Sequence, residues 1–527
     1  MQLKTIEILD TTLRDGVQAA GVVFSLEDKI KLLRSLDDLG VSYIEAGNPF
    51  SNPKDMELFQ FAREKLKLKN ARLAAFGMTR RPGSSAGEDP GLRAMLQSGA
   101  HIASIVGKSC KFQVLQVLGK SPEENLRMIE DTVRFLTGEG MSVFFDAEHF
   151  FDGWKSEREY ALETLRAARR GGASRLVLCD TNGGSLPEEI AQAVGQVVRE
   201  FDVPVAIHCH NDAGLATAAT LAAVSAGAMQ VQGTINGYGE RCGNANLCEV
   251  IPNLELKMDL RALPEGNLKK ISAMARFISE LANLNMDEGM PYVGNNAFAH
   301  KGGMHIDGVL KDHRTFEHID PSLVGNHRRI LISEVAGRSA LMTKIKKFAP
   351  ELTRESEKTQ SILEKIKALE AEGYSFEDSE GSLTLRILEA LGRRREFFRV
   401  LDFHVFSRQD SSPLNAQAYV KVAVGSKMEI TADEGDGPVN ALDLALRKAL
   451  SRFYPVLGDM RLVDFKVRVV TDRGTASAVR VHISSTDGKS IFSTVGVSTN
   501  VIQASFIALT DSIECLLMHR MGEKELG

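Results

Sequence analysis

Two histidines one residue apart, His208 and His210, end a short apolar run from Val203 to Ile207 that reads as a buried strand. Residues i and i+2 of a strand point to the same side, so both imidazoles face one point, as a divalent cation requires. A pair at this spacing also fits ordinary core packing, and a third ligand decides between the two readings. The segment Asp10-Thr11-Thr12-Leu13-Arg14-Asp15-Gly16 follows the first apolar run of the chain. Its Asp15 offers the hard oxygen that two imidazoles lack. Asp15, His208 and His210 are thus candidate ligands for a divalent metal, with zinc, manganese and magnesium all compatible with the donor set.

The elements that must position these residues repeat. Short apolar runs fall at Ile6–Leu9, Ser42–Ala46, Arg72–Phe76, Ile102–Val106, Ser142–Phe145, Arg175–Cys179, Val203–Ile207 and Met229–Thr234. Segments with helical spacing lie between them, including Leu26–Leu39, Pro122–Leu136 and Pro187–Glu200. Ser25 and Ser121 stand where helix N-caps belong, and Glu123 and Glu124 add acids to a first turn. Eight strand–helix units of this length predict a (β/α)8 barrel, an α/β fold. The rival is a doubly wound open sheet, but no G-x-G-x-x-G follows the first run. Barrel active sites sit at the C-terminal ends of the strands. Arg14, Asp15, Glu148, His149, Asp180, Thr181, Asn182, His208, His210 and the stretch Gly237 to Asn244 all fall there. Taken singly, Arg14 with Asp15 reads as an ion pair, and Asp180-Thr181-Asn182-Gly183 reads as a turn. Their convergence on one rim favours a site.

At 527 residues the chain exceeds one ordinary domain. The barrel is expected over residues 1–270, helical linker subdomains over 271–395, and an α+β domain over 396–527. In the last, strands are expected at Phe398–Phe406, Ala416–Val424, Lys427–Ala432, Leu462–Thr471, Ala476–Ser485 and Ser490–Ser498, with helices at Pro438–Phe453 and Ile502–Met518. Gly435-Asp436-Gly437-Pro438 reads as a turn feeding a helix rather than a phosphate loop. A net charge of −5 argues against nucleic acid or a membrane surface as partner. No apolar run is judged long enough to span a membrane. The N-terminus lacks a signal-peptide pattern, and six scattered cysteines without a C-x-x-C pair fit reduced thiols, so a cytoplasmic location is expected.

Here the sequence resembles a known family. The segments Asp10 to Gly16, His208-Cys209-His210-Asn211-Asp212 and Gly239-Glu240-Arg241-Cys242-Gly243-Asn244 are similar to signatures of the 2-isopropylmalate/homocitrate/citramalate synthases. Residues 296–305 resemble the family's post-barrel catalytic segment. The C-terminal domain, including Gly496 to Ile502, resembles its regulatory domain. Within the family, Gly47 to Pro53, Phe145 to Gly153 and Ile319-Asp320-Pro321 look most like the citramalate branch. The resemblance covers nearly the whole chain.

The resemblance implies Asp15, His208 and His210 as metal ligands with Asn244 at or near the same ion. It implies Arg14 beside the substrate carbonyl, Thr181 on the substrate carboxylate, Glu148 near the thioester methyl group and His305 as base. His300 and His318 are read as structural. One departure is Phe316, where the family often carries tyrosine; a phenyl ring cannot donate a proton. The implied reaction joins acetyl-CoA, the co-substrate, to pyruvate, with a homodimer and isoleucine as effector. Two alternatives stand beside it. A 2-isopropylmalate synthase differs by one or two methyl groups in its substrate, a difference worth only about 1–3 kcal/mol in a pocket. A carbon–carbon lyase of the same barrel would use Cys242.

Overall fold

The computed structural model describes residues 4–331, 338–353, 356–376, 379–407, 416–470, 474–488 and 490–522. The chain divides into two compact units. The first comprises residues 1–298 and 318–328, the second residues 299–317 and 329–527.

In the first unit eight parallel strands close into a barrel in sequence order. They are β1 (Glu7–Asp10), β2 (Tyr43–Gly47), β3 (Arg72–Met78), β4 (Ile102–Lys108), β5 (Ser142–Glu148), β6 (Arg175–Asp180), β7 (Val205–Cys209) and β8 (Gln230–Gly233). β1 pairs with both β2 and β8, which closes the ring. The helices begin where the sequence places caps. Asp28 N–H donates to Ser25 Oγ and Ser25 N–H to Asp28 Oδ2, a reciprocal box at helix Leu26–Leu39. Ser121 Oγ accepts from Glu124 N–H at the start of helix Pro122–Gly138, with proline in the first turn. Strand β7 starts two residues later than expected, because Pro204 has no N–H for the ladder.

The barrel is lined in layers. Leu9, Ala74, Ile102, Phe144, Val177, Cys179 and Ala206, drawn from β1 and β3 to β7, form a small apolar cluster with Tyr43 of β2 packed against it. Two residues beyond Tyr43, Ile102, Phe144 and Ala206 stand Glu45, Ser104, Asp146 and His208, and Gln232 joins them from β8. The strand period of two keeps these polar residues on the same face as the apolar ones below. Asp146 of β5 meets Gln232 of β8 (3.4 Å), and those strands are not neighbours, so this contact crosses the lumen. The larger core lies between barrel and helices, with Ile8, Leu32, Leu36, Ile44, Ile105 and Ile207 among its members.

In the second unit, β9 (Ala299–His300) pairs in parallel with β10 (Arg329–Ile330). Helices Gly303–Lys311, Arg338–Phe348, Glu357–Ala371 and Glu380–Leu391 share a core built on Ile306, Ile345, Ile366, Leu383 and Ile387. Two antiparallel sheets follow: β11 (Arg399–Ser407), β12 (Ala416–Val424), β13 (Lys427–Gly435); and β14 (Arg461–Val469), β15 (Val479–Thr486), β16 (Ile491–Ser498). Each is completed by one helix, Pro438–Ser451 or Val501–Gly522, giving the order βββα twice. The expected end of one strand at Thr471 lies outside the described residues. The segment Gly435 to Gly437 is the turn into helix Pro438–Ser451.

The expectation that no segment is long and apolar enough for a membrane is corrected here. Val501–Arg520 qualifies by length and composition, with a mean hydropathy of 1.5. Most of that helix is buried within the protein, its residues Ala504, Ala508 and Leu509 packing with Val481 and Ile483 of β15. Its apolarity is that of a core helix with few solvent-facing positions. All six cysteines are free, and only Cys242 among them is exposed.

Candidate metal centre

The loop after β1 turns tightly. Arg14 and Asp15 N–H groups both donate to the Thr11 carbonyl, and Thr11 N–H donates to Gly233 O of β8. Asp10, fully buried, accepts from Thr12 N–H (3.0 Å) and Thr12 Oγ (2.9 Å). Burial pushes its carboxyl up to about 7 against those two bonds. The turn delivers Asp15 into the barrel mouth facing the end of β7. Asp15 Oδ2 lies 3.3 Å from His208 Nε2, and His208 Nε2 lies 3.4 Å from His210 Nε2. The three ligand atoms fall within 4.8 Å of one another, and all three residues are buried. A cation about 2.1 Å from each donor spaces its ligands about 3.0–3.4 Å apart, so these side chains fit one ion.

Unmet bonding capacity supports the same fit. Asp15 Oδ1 and Asn244 Oδ1 are buried without a hydrogen-bond partner among the described residues. Such atoms are costly unless something binds them. Asn244 reaches this place through its backbone. It forms an antiparallel bridge with His210, flanked by Asn211 N–H to Gly243 O and Ala245 N–H to Cys209 O (2.9 Å each). Its amide nitrogen donates to Tyr238 O (3.3 Å), leaving the oxygen as the free end. Gly243 has a φ of +89°, and a Cβ there would collide with the Gly237 carbonyl, so this turn admits only glycine.

The charges agree with a cation site. Burial alone would raise Asp15, but Arg14 and the two histidines hold it well below the usual carboxylate range. At His208 burial works against the charged ring and Asp15 outweighs it, raising its pKa. His210 is driven down to about 4 by burial and by the charge of His208, so it is a neutral lone-pair donor at neutral pH. An ionised carboxylate beside a neutral imidazole offers a metal ion two of the donors it needs.

Arg14 is rigidly held. Its Nε donates to Glu45 Oε2 (2.5 Å), its Nη1 lies 3.4 Å from Asp15 Oδ2, and its guanidinium stacks 4.1 Å from the Phe76 ring centroid. Glu148 ends β5 and pairs with Lys108 of β4 (2.5 Å). Thr181 Oγ accepts from His149 N–H (2.8 Å), leaving its own proton to donate. The Thr181 carbonyl accepts from Arg241 (2.7 Å), whose guanidinium also grips Asp212 through two bonds of 2.8 and 2.9 Å. Asp180 accepts from Ser185 N–H and Oγ, a turn-forming role. The expected rim residues of the barrel are therefore tied together through Arg14, Asp15, His208, His210 and Asn244 on one side and Thr181, Arg241 and Asp212 on the other.

His305 belongs to the second unit, on helix Gly303–Lys311, with its ring stacked 4.1 Å from Phe316. His300, also there, is buried against Glu317 (3.0 Å). His318 packs between Tyr292 and Phe298 in the first unit. Several residues of the site went unread in the sequence: Glu45, which pins Arg14; Lys108, which pairs with Glu148; and Asp146 and Gln232 behind His208. The available signal was a charge or amide inside an apolar run, as in Tyr43-Ile44-Glu45-Ala46 and Phe144-Phe145-Asp146-Ala147.

Comparison with known proteins agrees with this architecture. The family model HMGL-like matches residues 5–278, just over half the chain. The homocitrate synthase post-HMGL domain-like model matches residues 292–374, and the LeuA allosteric (dimerisation) domain matches residues 378–517. The chain belongs to the HMGL-like family, as a TIM-barrel enzyme with these two C-terminal additions. Within it the chain stands with the citramalate synthases. It is 50% identical over 517 residues to the (R)-citramalate synthase of Aquifex aeolicus, covering 97% of this chain and 98% of that one. It is 46% identical over 527 residues to that of Geobacter sulfurreducens, covering 99% of each. It is 45% identical over 521 residues to that of Synechocystis, covering 96% and 95%.

Proposed function

We propose that this chain condenses acetyl-CoA with pyruvate and hydrolyses the resulting thioester, giving (R)-citramalate and CoA. The observation that carries the reading is the buried Asp15–His208–His210 cluster, with spare donor atoms, in a chain 44–50% identical to five (R)-citramalate synthases. Asp15, His208 and His210, with Asn244, hold a divalent cation, Mg, Mn or Zn. When bound, that ion supplies Lewis-acid polarisation of a 2-oxo acid's carbonyl.

The chain's own groups do the rest. Arg14, pinned by Glu45, presents fixed positive charge to the oxygen on which negative charge develops; a group already oriented costs no reorganisation in the transition state. Thr181 donates its hydroxyl to the pyruvate carboxylate. His305 takes a proton from the acetyl methyl group, and the carbon so freed attacks the keto carbon while the keto oxygen gains a proton. Water then cleaves the thioester and CoA leaves as the thiol. Glu148, held by its ion pair with Lys108, orients the thioester. Phe316 supplies a stacking face for His305 and no proton.

In the second unit the match to the LeuA allosteric (dimerisation) domain supports a homodimer and an amino-acid effector, isoleucine by the family resemblance. Strand β14 supports the first point: Leu462, Val463, Phe465, Val467 and Val469 are all exposed in the single chain. The test is thiol release from acetyl-CoA with a panel of 2-oxo acids, with and without chelator and isoleucine. Pyruvate is expected to give the highest kcat/KM, chelator to abolish it, and isoleucine to lower the rate or shift the melting temperature. Preference for 2-oxoisovalerate would replace the substrate. Loss of all activity on alkylating Cys242 would instead favour the lyase alternative, which the relatives do not favour.

A further inference from the structure

Behind His208 runs a chain of buried hydrogen bonds that no ligand role accounts for. His208 Nδ1 faces Gln232 Oε1 (3.0 Å), Gln232 Nε2 faces Asp146 Oδ1 (3.4 Å), and Ser104 Oγ donates to Asp146 Oδ2 (3.0 Å). The four residues come from β7, β8, β5 and β4, and all are buried. We propose that Asp146 and Gln232 are positioning residues that fix the tautomer of His208, so that its Nε2 lone pair faces the cation site. This rests on the metal reading above.

The argument is one of donors and acceptors. A carboxylate can only accept, so Asp146 forces Gln232 to turn its NH2 towards it. The Gln232 oxygen is then left facing His208, and it too can only accept. His208 must therefore carry its proton on Nδ1, which leaves Nε2 bare towards Asp15 and His210. With the amide reversed, two acceptors would face each other at Asp146. The Gln232 NH2 would then donate to Nδ1, and the His208 proton would move to Nε2, into the metal position. Ser104 completes the sequence by occupying the second carboxylate oxygen, so that Oδ1 is the one left for Gln232. Neighbours of this kind behind a metal-binding histidine are worth about 10–100-fold in affinity.

The chain can be tested by moving its charge while keeping its polarity. In the double variant Gln232→Glu/Asp146→Asn, the carboxylate introduced on β8 still accepts from His208 Nδ1–H. The amide introduced on β5 donates its NH2 to that carboxylate, and its oxygen accepts from Ser104. Every bond to His208 and Ser104 keeps its direction although the charge has moved. Gln232→Met fills the space and removes the acceptor. The full chain, stripped of metal, is titrated with Mn2+ and the dissociation constant measured, with the melting temperature of the metal-free form alongside. Gln232→Met is expected to weaken Mn2+ binding about 10–100-fold while the metal-free form still melts cooperatively, and the double variant to return within about threefold of the unaltered chain. A second readout needs no variant: 15N-histidine NMR of the metal-free protein is expected to show His208 protonated on Nδ1. Unchanged Mn2+ affinity in Gln232→Met, a double variant as weak as Gln232→Met, or a proton on Nε2 alone would each overturn the proposal. Failure of the unaltered chain to bind Mn2+, Mg2+ or Zn2+ would instead remove the metal reading, and the NMR measurement would still judge this one.

Discussion

The two ends of the barrel carry similar residue types and use them oppositely. At the N-terminal ends of the strands, Arg175 of β6 grips Glu7 of β1 through bonds of 2.9 and 2.6 Å, and Tyr43 Oη donates to the other oxygen of Glu7 (3.1 Å). The Arg175 guanidinium also lies 5.3 Å from the Phe144 ring centroid. These groups satisfy one another. At the C-terminal ends, Asp15 and Asn244 each keep a buried oxygen without a partner among the described residues. Charge is present at both ends: at the N-terminal end the charged groups are paired and the unpartnered atoms are those of a neutral amide, Gln230 of β8, whereas at the C-terminal end a carboxylate keeps bonding capacity in reserve. Reserve of that kind is costly to folding and marks the place where something else binds.

The contrast can be broken by variants at either end, in descending order of effect. Asp15→Asn is expected to lower kcat/KM at least about 1,000-fold, since it removes the charged ligand, while the circular dichroism spectrum stays unchanged. Turnover near that of the unaltered chain would show that the C-terminal end is no more catalytic than the other. Glu45→Gln comes next. Arg14 loses the nearer of its two buried counterions, so stability is expected to fall by about 3 kcal/mol in urea unfolding, and kcat by about 10–100-fold.

A pH effect follows at the base of the Asp15 turn. Burial holds the Asp10 carboxyl at about 7 in the folded chain, against an ordinary value of 3.8. Between those values the folded chain keeps a proton that the unfolded chain releases, so this group's contribution to stability falls as pH rises from about 4 to 7. Asp10→Asn, which has no proton to lose, is therefore expected to gain in melting temperature relative to the unaltered chain over that window. A difference independent of pH would mean that Asp10 titrates normally. The smallest effect is expected at the opposite rim. Glu7→Gln breaks a partly exposed ion pair, costing less than about 1 kcal/mol and leaving kcat/KM unchanged.

How far this could be read from the sequence depended on whether the partners were local. Parallel strands buried on both faces appear as apolar runs, so all eight barrel strands were legible, and the caps Ser25 and Ser121 each stand directly before the helix they begin. His208 and His210 were legible because their spacing alone sets their common direction. The loop signatures added Arg14, Asp15 and Asn244. Gln232 and Asp146 were not legible, because their meeting depends on barrel closure across 86 residues of chain. Glu45 is likewise 31 residues from Arg14. In the second unit the strands and helices from residue 398 onward were legible, the short pair Ala299–His300 and Arg329–Ile330 was not, and the repeated βββα order became visible only once each sheet was complete. Helix Val501–Gly522 was misjudged because a helix buried on several sides has the composition of a membrane span.

The central claim is that one buried cation sits between Asp15, His208 and His210. Its most direct test is equilibrium dialysis of the chelator-stripped chain against Mn2+ or Zn2+, beside the double variant His208→Ala/His210→Ala. One tightly bound cation per chain in the first, and none in the second with the fold retained, is the result expected. Equal binding by both proteins would contradict the account.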